Sequence, residues 1–376
     1  MAMNLFLPSL PGMAVHFAAD YWLVQLSVAL YLGVNAPLQI ALGPLSDRYG
    51  RRPVLLWSIL LFMIATLGCI FAPTIEVFLL ARMAQAAIVA ALVLSRAVVR
   101  DMVPQDEAAS MIGYVTMGMA LAPMVAPAIG GVLDEAFGWK ANFWALFLSG
   151  AFLLWLTWSD LGETAHPSEN SLARQVAQYP ELLASRRFWG YCAAAAFASG
   201  AFFAYLGGAP YVGSEVFGLD PSALGFLFGA PAAGYMAGNY LSGRHSIRYG
   251  INRMILWGTI VSSGGTALSL AMFHAGGGSA SVFFGAMTFV GLGNGLVIPN
   301  ATSGMLSIRP RLAGAASGLG GAMMIGGGAA LSALAGVVLV PGAGALPLIW
   351  IMFATSAFAI AAIVLTIRRE RRVIPA

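Results

Sequence analysis

Arg82 and Gln85 lie three residues apart inside an apolar segment, so both side chains share one face of a predicted helix. An arginine inside a membrane is costly, and it normally faces the interior of a helix bundle or a water-filled cavity. The pair is therefore a candidate for the lining of a cavity that binds a substrate. A structural alternative is that Arg82 caps the backbone carbonyls of a neighbouring helix.

Polar and aromatic side chains in other apolar segments extend this candidate lining. Tyr31 and Asn35 share a helix face at four-residue spacing. A mostly apolar, aromatic cavity suits amphipathic drugs better than sugars, which need many hydrogen bonds. The full predicted lining is Asn4, Tyr31, Asn35, Arg82, Gln85, Phe202, Phe203, Tyr205 and Phe226.

Composition places these residues in a lipid bilayer. The chain has 376 residues, of which 59% are hydrophobic and 9% are charged, and its mean hydropathy is +0.82. Soluble domains carry about 25% charged residues, so this is a polytopic membrane protein. The two cysteines lie in apolar segments, and we expect neither a metal site nor a cofactor.

The apolar segments predict two bundles of six helices. The first bundle covers residues 1–160, a polar cytoplasmic linker covers 161–187, and the second bundle with a basic tail covers 188–376. The predicted spans are 2–17, 21–45, 54–72, 75–97, 107–132, 140–159, 188–212, 221–242, 253–273, 280–304, 312–340 and 345–367.

The first span is shorter than the others and contains two prolines. A membrane helix needs about 20 apolar residues, whereas only residues 1–17 precede Ala18. We expect that the front of this helix is missing from the chain. A signal peptide is the alternative, but no basic region precedes the apolar run.

The net charge is +4, and the basic residues lie in alternate loops. This is not the distribution expected for nucleic-acid binding. Of the 19 lysines and arginines, only Arg82 and Lys140 lie outside these loops. Because positive residues are retained on the cytoplasmic side, both termini are predicted to be cytoplasmic and the number of spans even.

The two halves also contain an internal repeat. Arg-Tyr-Gly at 48–50 recurs at 248–250, and Leu-Trp at 56–57 recurs at 256–257. The second copy has an isoleucine in place of Asp47, so we expect this acid to have a separate role. Two parallel repeats are typical of transporters that bind their substrate between the halves.

The stretch between the second and third spans carries a specific pattern. Residues 43–53 read Gly-Pro-Leu-Ser-Asp-Arg-Tyr-Gly-Arg-Arg-Pro, which predicts a tight charged turn. The spacing of glycines, acid and arginines resembles the signature loop between helices 2 and 3 of the major facilitator superfamily. The resemblance implies an all-α fold of two six-helix bundles and function as a monomer.

Further motifs resemble the Bcr/CflA branch of that family, named for bicyclomycin and chloramphenicol resistance. They are Asn-Leu-Phe-Leu-Pro-Ser-Leu-Pro at 4–11, Arg-Ala-Val-Val-Arg-Asp at 96–101 and Leu-Gly-Glu-Thr at 161–164. The fifth span is similar to the glycine-proline motif of antiporters, although Ala122 and Ala126 stand where glycine is usual. These resemblances imply multidrug efflux across a bacterial inner membrane, driven by protons.

The resemblance assigns roles to two groups of residues outside the cavity. We expect Asp47 to lie near the start of a later helix, around 312–314, and Arg48 or Arg51 to pair with Asp101, closing the cytoplasmic side. Prolines and small residues in the fifth span would form a gate or hinge. The predicted latch is Gly43, Asp47, Arg48, Gly50, Arg51, Arg52 and Asp101, and the predicted hinge is Pro123, Pro127, Gly130 and Gly131.

One departure from the branch bears on energy coupling. The branch usually has an aspartate where this chain has Asn4, and the family ties that acid, together with an arginine like Arg82, to proton movement. All 15 acidic residues of this chain lie in loops or at the ends of spans. No carboxylate remains at mid-membrane to bind and release a proton.

The sequence therefore predicts an exporter of amphipathic drugs that exchanges them for protons. The alternative is an uncoupled facilitator or a metabolite exporter, which Asn4 favours. A membrane enzyme is poorly supported, because no span has a His-rich, Ser-His-Asp or metal-ligand grouping. A membrane sensor is a further alternative, but the sequence shows no soluble domain.

Overall fold

The computed structural model describes residues 1–102, 125–164, 179–308 and 313–373. These ranges are helical and contain no β-strand, which confirms the all-α prediction. The helices are α1 Leu10–His16, α2 Tyr21–Tyr49, α3 Arg51–Ile70, α4 Ile75–Gln85, α5 Val89–Met102, α6 125–137, α7 Lys140–Asp160, α8 Tyr179–Leu183, α9 Arg186–Tyr211, α10 Pro221–Phe228, α11 Ala230–Tyr249, α12 Ile251–His274, α13 Ala280–Ile308, α14 Ala313–Val338 and α15 Leu346–Val373.

Nine helical segments of the described ranges are long and apolar enough to cross a membrane. One of them, Ile75–Val99, joins α4 to α5 through a short 3-10 turn at Ala86–Ile88. Another, Arg186–Val216, continues α9 through one turn of π-helix. The fifth predicted span, 107–132, lies outside the described residues up to position 124.

Two predicted spans are interrupted by proline and glycine. The first, 2–17, consists of a 3-10 turn at Leu7–Ser9 followed by α1, and each piece has a proline in its first turn. Proline lacks an N–H group, so it starts a helix more readily than it continues one. The predicted span 221–242 breaks at Gly229 into α10 and α11 for the same reason, since Pro231 lies in the first turn of α11.

The polar stretch 43–53 is mostly helical, which corrects the prediction of a turn. Helix α2 continues to Tyr49 and α3 begins at Arg51, so Gly50 alone reverses the chain. Gly50 has φ +95° and ψ 150°, a conformation that is essentially restricted to glycine. Gly250 does the same between α11 and α12, with φ +80° and ψ 153°, so the sequence repeat is also a structural repeat.

The described helices form two packed groups that meet along α2 and α14. In the first group α3 packs against α7 and α4, and in the second α13 packs against α11 and α12. Gly50 and Gly250 lie at one end of the molecule, which we call the Arg-rich end. The loops at Gly138 and Gly218 lie at the other, which we call the opposite end.

Candidate functional site

Arg82 is fully buried within the first half. Its Nη1 donates hydrogen bonds to Oε1 of Gln85 and, at 3.3 Å, to the backbone carbonyl of Ala2. The guanidinium carbon lies 4.3 Å from the ring centroid of Phe6 and 4.7 Å from that of Tyr31. The aromatic rings stabilise the cation electrostatically, while the carbonyl that Arg82 binds belongs to a turn and not to a helix.

A short hydrogen-bond chain fixes the orientation of Arg82. Gln85 is fully buried and donates from Nε2 to Oγ1 of Thr66 at 2.7 Å. Thr66 in turn donates to the carbonyl of Phe62 at 2.6 Å. Because Thr66 belongs to α3 and Gln85 to α4, this chain holds the two helices in register around the guanidinium.

Asn4 and Tyr31 are buried close to the same centre. Asn4 is 3% exposed, and it lies in the chain between Ala2 and Phe6, which both contact Arg82. The amide oxygen of Asn4 is buried and has no hydrogen-bond partner among the described residues. Of the predicted lining, Gln85 and Tyr31 therefore contact Arg82 directly, and Asn4 is buried beside them in the chain.

Asn35 lies one turn further along α2 than Tyr31 and is buried. Its Oδ1 accepts a hydrogen bond from Gln39 at 2.8 Å. A Cβ placed on Gly321 would lie 3.4 Å from Oε1 of Gln39, so this polar pair faces α14 of the second half. Asn35 is thus the predicted cavity residue that lies nearest to the surface between the halves.

The aromatic residues predicted for the second half are divided between different environments. Tyr205 is fully buried, donates to the carbonyl of Phe228 at 3.1 Å and packs at 4.6 Å against the ring of Phe228. Phe203 is 8% exposed and packs on Gly328 of α14, whereas Phe226 is 67% exposed. Tyr205 therefore belongs to the core of the second half in this state, and aromatic content alone did not distinguish it from a lining residue.

The Arg-rich end of the first half contains a buried ion-pair network. Arg51 is 6% exposed, and its Nη2 lies 2.6 Å from Oδ1 of Asp47 while its Nε lies 3.2 Å from Oδ2 of Asp101. Its Nη1 also donates to Oγ of Ser46, which in turn donates at 2.7 Å to the carbonyl of Gly43. Arg51, rather than Arg48, is the residue that joins α2, α3 and α5.

Glu163 joins this network to the end of α7. Its carboxylate accepts hydrogen bonds from the backbone N–H groups of Arg51 at 2.8 Å and Arg52 at 3.3 Å, which caps the start of α3. Arg52 donates to the carbonyl of Trp158 at 2.9 Å, while Arg48 is exposed and lies over the ring of Tyr49. The expected contact of Asp47 with 312–314 involves Leu312, which lies outside the described residues.

The second half has a corresponding cluster that the sequence analysis missed. Glu370 accepts hydrogen bonds from Arg187 at 2.5 Å, from Asn252 at 2.5 Å and from Tyr191 at 2.9 Å. Glu163 follows the sixth span of the first half, and Glu370 ends the last span of the second. Each acid binds the start of the third span of its own half. The internal repeat is the sequence signal that could have located Glu370.

Glycines allow a close approach between the two halves at the opposite end. A Cβ on Gly131 of α6 would lie 2.9 Å from the carbonyl carbon of Pro221, and a Cβ on Gly225 of α10 would lie 3.0 Å from that of Pro127. The contact is reciprocal and leaves no room for side chains. Gly130 packs against the carbonyl of Leu5 inside the first half, while Pro123 lies outside the described residues.

A polar contact between the halves lies beside this glycine contact. Gln25 is fully buried and donates from Nε2 to the carbonyl of Ser332 at 2.5 Å and to its Oγ at 2.8 Å. Tyr21 donates to the carbonyl of Gly207 at 2.9 Å, and its ring centroid lies 5.0 Å from that of Tyr211. Sequence reasoning did not select Gln25 or Tyr21, although a glutamine within an apolar span is a recognisable signal.

Comparisons with known proteins agree with this geometry. The family model described as Major Facilitator Superfamily matches residues 1–333. The uncharacterized MFS-type transporter YdgK of Bacillus subtilis (strain 168) is 32% identical over 341 residues, which cover 89% of this chain and 84% of the relative. Multidrug resistance protein D of Escherichia coli (strain K12) is 26% identical over 352 residues, covering 93% and 88%.

A solved structure has a similar fold, and further relatives support the family assignment. A peptide transporter POT in complex with sulfate superposes with a TM-score of 0.76 at 14% identity, covering 98% of this chain and 91% of that protein. Other relatives are named for bicyclomycin and chloramphenicol resistance. The chain therefore belongs to the Major Facilitator Superfamily, within which it resembles drug-efflux transporters of the Bcr/CflA branch.

Proposed function

We propose that this protein exports small amphipathic compounds across a bacterial inner membrane by alternating access, in exchange for protons. The observation that supports this proposal best is the reciprocal glycine contact of α6 with α10, because it brings the backbones of the two halves together at one end of the molecule. Small residues let the backbones of membrane helices approach closely, and in transporters of this type the two halves rock apart at such surfaces. The names of relatives support drugs as the substrate class.

We infer from the distribution of arginines that this end of the molecule faces the outside. Arginines are concentrated in loops at the Arg-rich end, and positive residues are retained in the cytoplasm. Both termini are then cytoplasmic, and the described state is closed toward the outside. The network of Asp47, Arg51 and Asp101 stabilises the cytoplasmic end of the first half and is the proposed latch for the outward-open state.

Proton coupling depends on a group that titrates within the membrane. Asn4 cannot titrate, and the buried cluster around Arg82 contains no carboxylate among the described residues. An uncoupled facilitator or a metabolite exporter is therefore the second candidate. The observation that supports this second candidate is the lack of a carboxylate beside Arg82 among the described residues.

Drug accumulation in pump-deficient cells tests both candidates. We expect cells that express the protein to accumulate less of a phenicol, a lipophilic cation or a fluoroquinolone than cells with an empty vector. A protonophore should remove this difference if export is coupled to protons. Lowered accumulation that a protonophore leaves unchanged would favour the facilitator, and equal accumulation for the whole panel would contradict drug export.

A further inference from the structure

The guanidinium of Arg82 has one edge without a partner. Its Nη1 donates to Gln85 and to the carbonyl of Ala2, but neither Nε nor Nη2 has a hydrogen-bond partner among the described residues. Both atoms are fully buried. Buried donors without acceptors are rare and destabilising, and they are more so on a charged group.

The aromatic neighbours do not satisfy this edge. The rings of Phe6 and Tyr31 lie over the guanidinium and attract its charge. The N–H groups point outward in the plane of the guanidinium, whereas the ring faces offer no oxygen as an acceptor. The environment of Arg82 therefore stabilises a cation, while two of its donor atoms have no acceptor among the residues that the structure describes.

The unused atoms define the chemistry of a matching group. Nε–H and Nη2–H lie side by side along one edge of the guanidinium, and two parallel N–H groups fit the two oxygens of a carboxylate. A neutral amide offers one oxygen to this edge, and a lipophilic cation is repelled by it. Every acidic residue of the chain lies in a loop or at the end of a span, so no internal carboxylate is placed by the sequence at this depth.

We propose that Arg82 binds the carboxylate of the transported compound, so that the preferred substrates are amphipathic organic acids and zwitterions rather than cations. This inference rests on the proposed transport function. Ala2 and Phe6 cover Arg82 in the described state, so the carboxylate binds when residues 2–6 move aside. The absence of an acid at position 4 leaves the edge free for an acid that the substrate carries.

A matched pair of ligands tests the proposal on the unmodified protein. Binding of a fluoroquinolone carboxylic acid and of its carboxamide to the purified full chain is measured by isothermal titration calorimetry. We expect the acid to bind about tenfold more tightly than the amide, as hydrogen bonds to charged groups allow. Equal affinities, or failure of the acid to bind, would overturn the proposal without requiring any variant to fold.

Two variants separate the effect of the two parallel N–H groups of the guanidinium from the effect of its positive charge. Arg82→Lys keeps the charge but lacks the planar fork, and it should remove most of the preference for the acid. Asn4→Asp supplies an internal carboxylate beside this cluster, and it should weaken binding of the acid while strengthening binding of tetraphenylphosphonium. An unchanged preference in both variants would assign recognition of the acid to another residue.

Transport by the wild-type protein distinguishes this proposal from the proposed function. In proteoliposomes, movement of tetraphenylphosphonium or a phenicol without movement of the acid would overturn carboxylate recognition and leave drug transport standing. Failure to move any compound of the panel would contradict transport itself. We expect the wild-type protein to transport the acid and the Arg82→Lys variant to lose this transport.

Discussion

Replacing Gly131 with leucine is expected to abolish transport while leaving the two halves folded. A Cβ at this position already lies 2.9 Å from the carbonyl carbon of Pro221, and a longer side chain has no space in the contact. Forcing a side chain into a packed contact costs about 1–3 kcal/mol. Because 1.4 kcal/mol corresponds to about a tenfold change in population, the outside-closed state would be depleted and the transport cycle would stall.

Glycines in other environments provide the controls for this experiment. Gly33 lies on an exposed face of α2, and a Cβ placed on it would have no atom within 4 Å, so Gly33→Leu should transport normally. Gly225→Leu enters the same contact from the second half and should behave like Gly131→Leu. Drug accumulation in pump-deficient cells measures all three variants, and normal efflux by Gly131→Leu would show that the contact does not gate transport.

Replacing Arg51 with alanine is expected to be the most destabilising single change at the Arg-rich end. The substitution removes the ion pairs of Arg51 with Asp47 and Asp101, and it removes the hydrogen bond to Ser46. Breaking a buried ion pair from one side costs about 3–5 kcal/mol. Because the two acids are partly exposed, the cost is smaller, and we expect the free energy of unfolding to decrease by about 3 kcal/mol.

Arg48→Ala is the matched control for Arg51→Ala. Arg48 lies one turn before Arg51 in sequence, but it is exposed, and the structure gives it a contact with Tyr49. Exposed charges contribute little to stability. Unfolding of both variants in detergent, followed by circular dichroism, should show a clear decrease in midpoint for Arg51→Ala alone, and similar midpoints for the two variants would refute the network.

Much of the fold could be predicted because it depends on local composition. Apolar segments of about 20 residues define the spans, and the repeated Arg-Tyr-Gly tripeptide located both single-residue reversals at Gly50 and Gly250. The exact helix ends could not be predicted, because the polar residues after position 43 continue α2 instead of forming a loop. The start of α3 depends on a tertiary partner, because the backbone N–H of Arg51 donates to Glu163, which lies 112 residues away.

The candidate site was harder to predict than the fold. Arg82 and Gln85 stand out because polar groups in apolar spans need partners, and the structure brings them together. Tyr205 was selected by its aromatic character, which does not reveal whether a side chain faces the core of a bundle or a surface between halves. Gln25 was missed, because its partner Ser332 is 307 residues away in the chain.

Crosslinking the two halves at the opposite end tests alternating access most directly. Tyr21 and Tyr211 belong to different halves and their ring centroids lie 5.0 Å apart, so Tyr21→Cys with Tyr211→Cys can be joined by a short, reducible bifunctional thiol reagent. Phe71→Cys with Trp144→Cys is the control, since these rings lie 6.2 Å apart within the first half. Efflux from proteoliposomes is measured before crosslinking, after it and after reduction. We predict that the crosslink between the halves stops efflux reversibly while the control crosslink has no effect. Full efflux with the halves joined would contradict transport by separation of the halves.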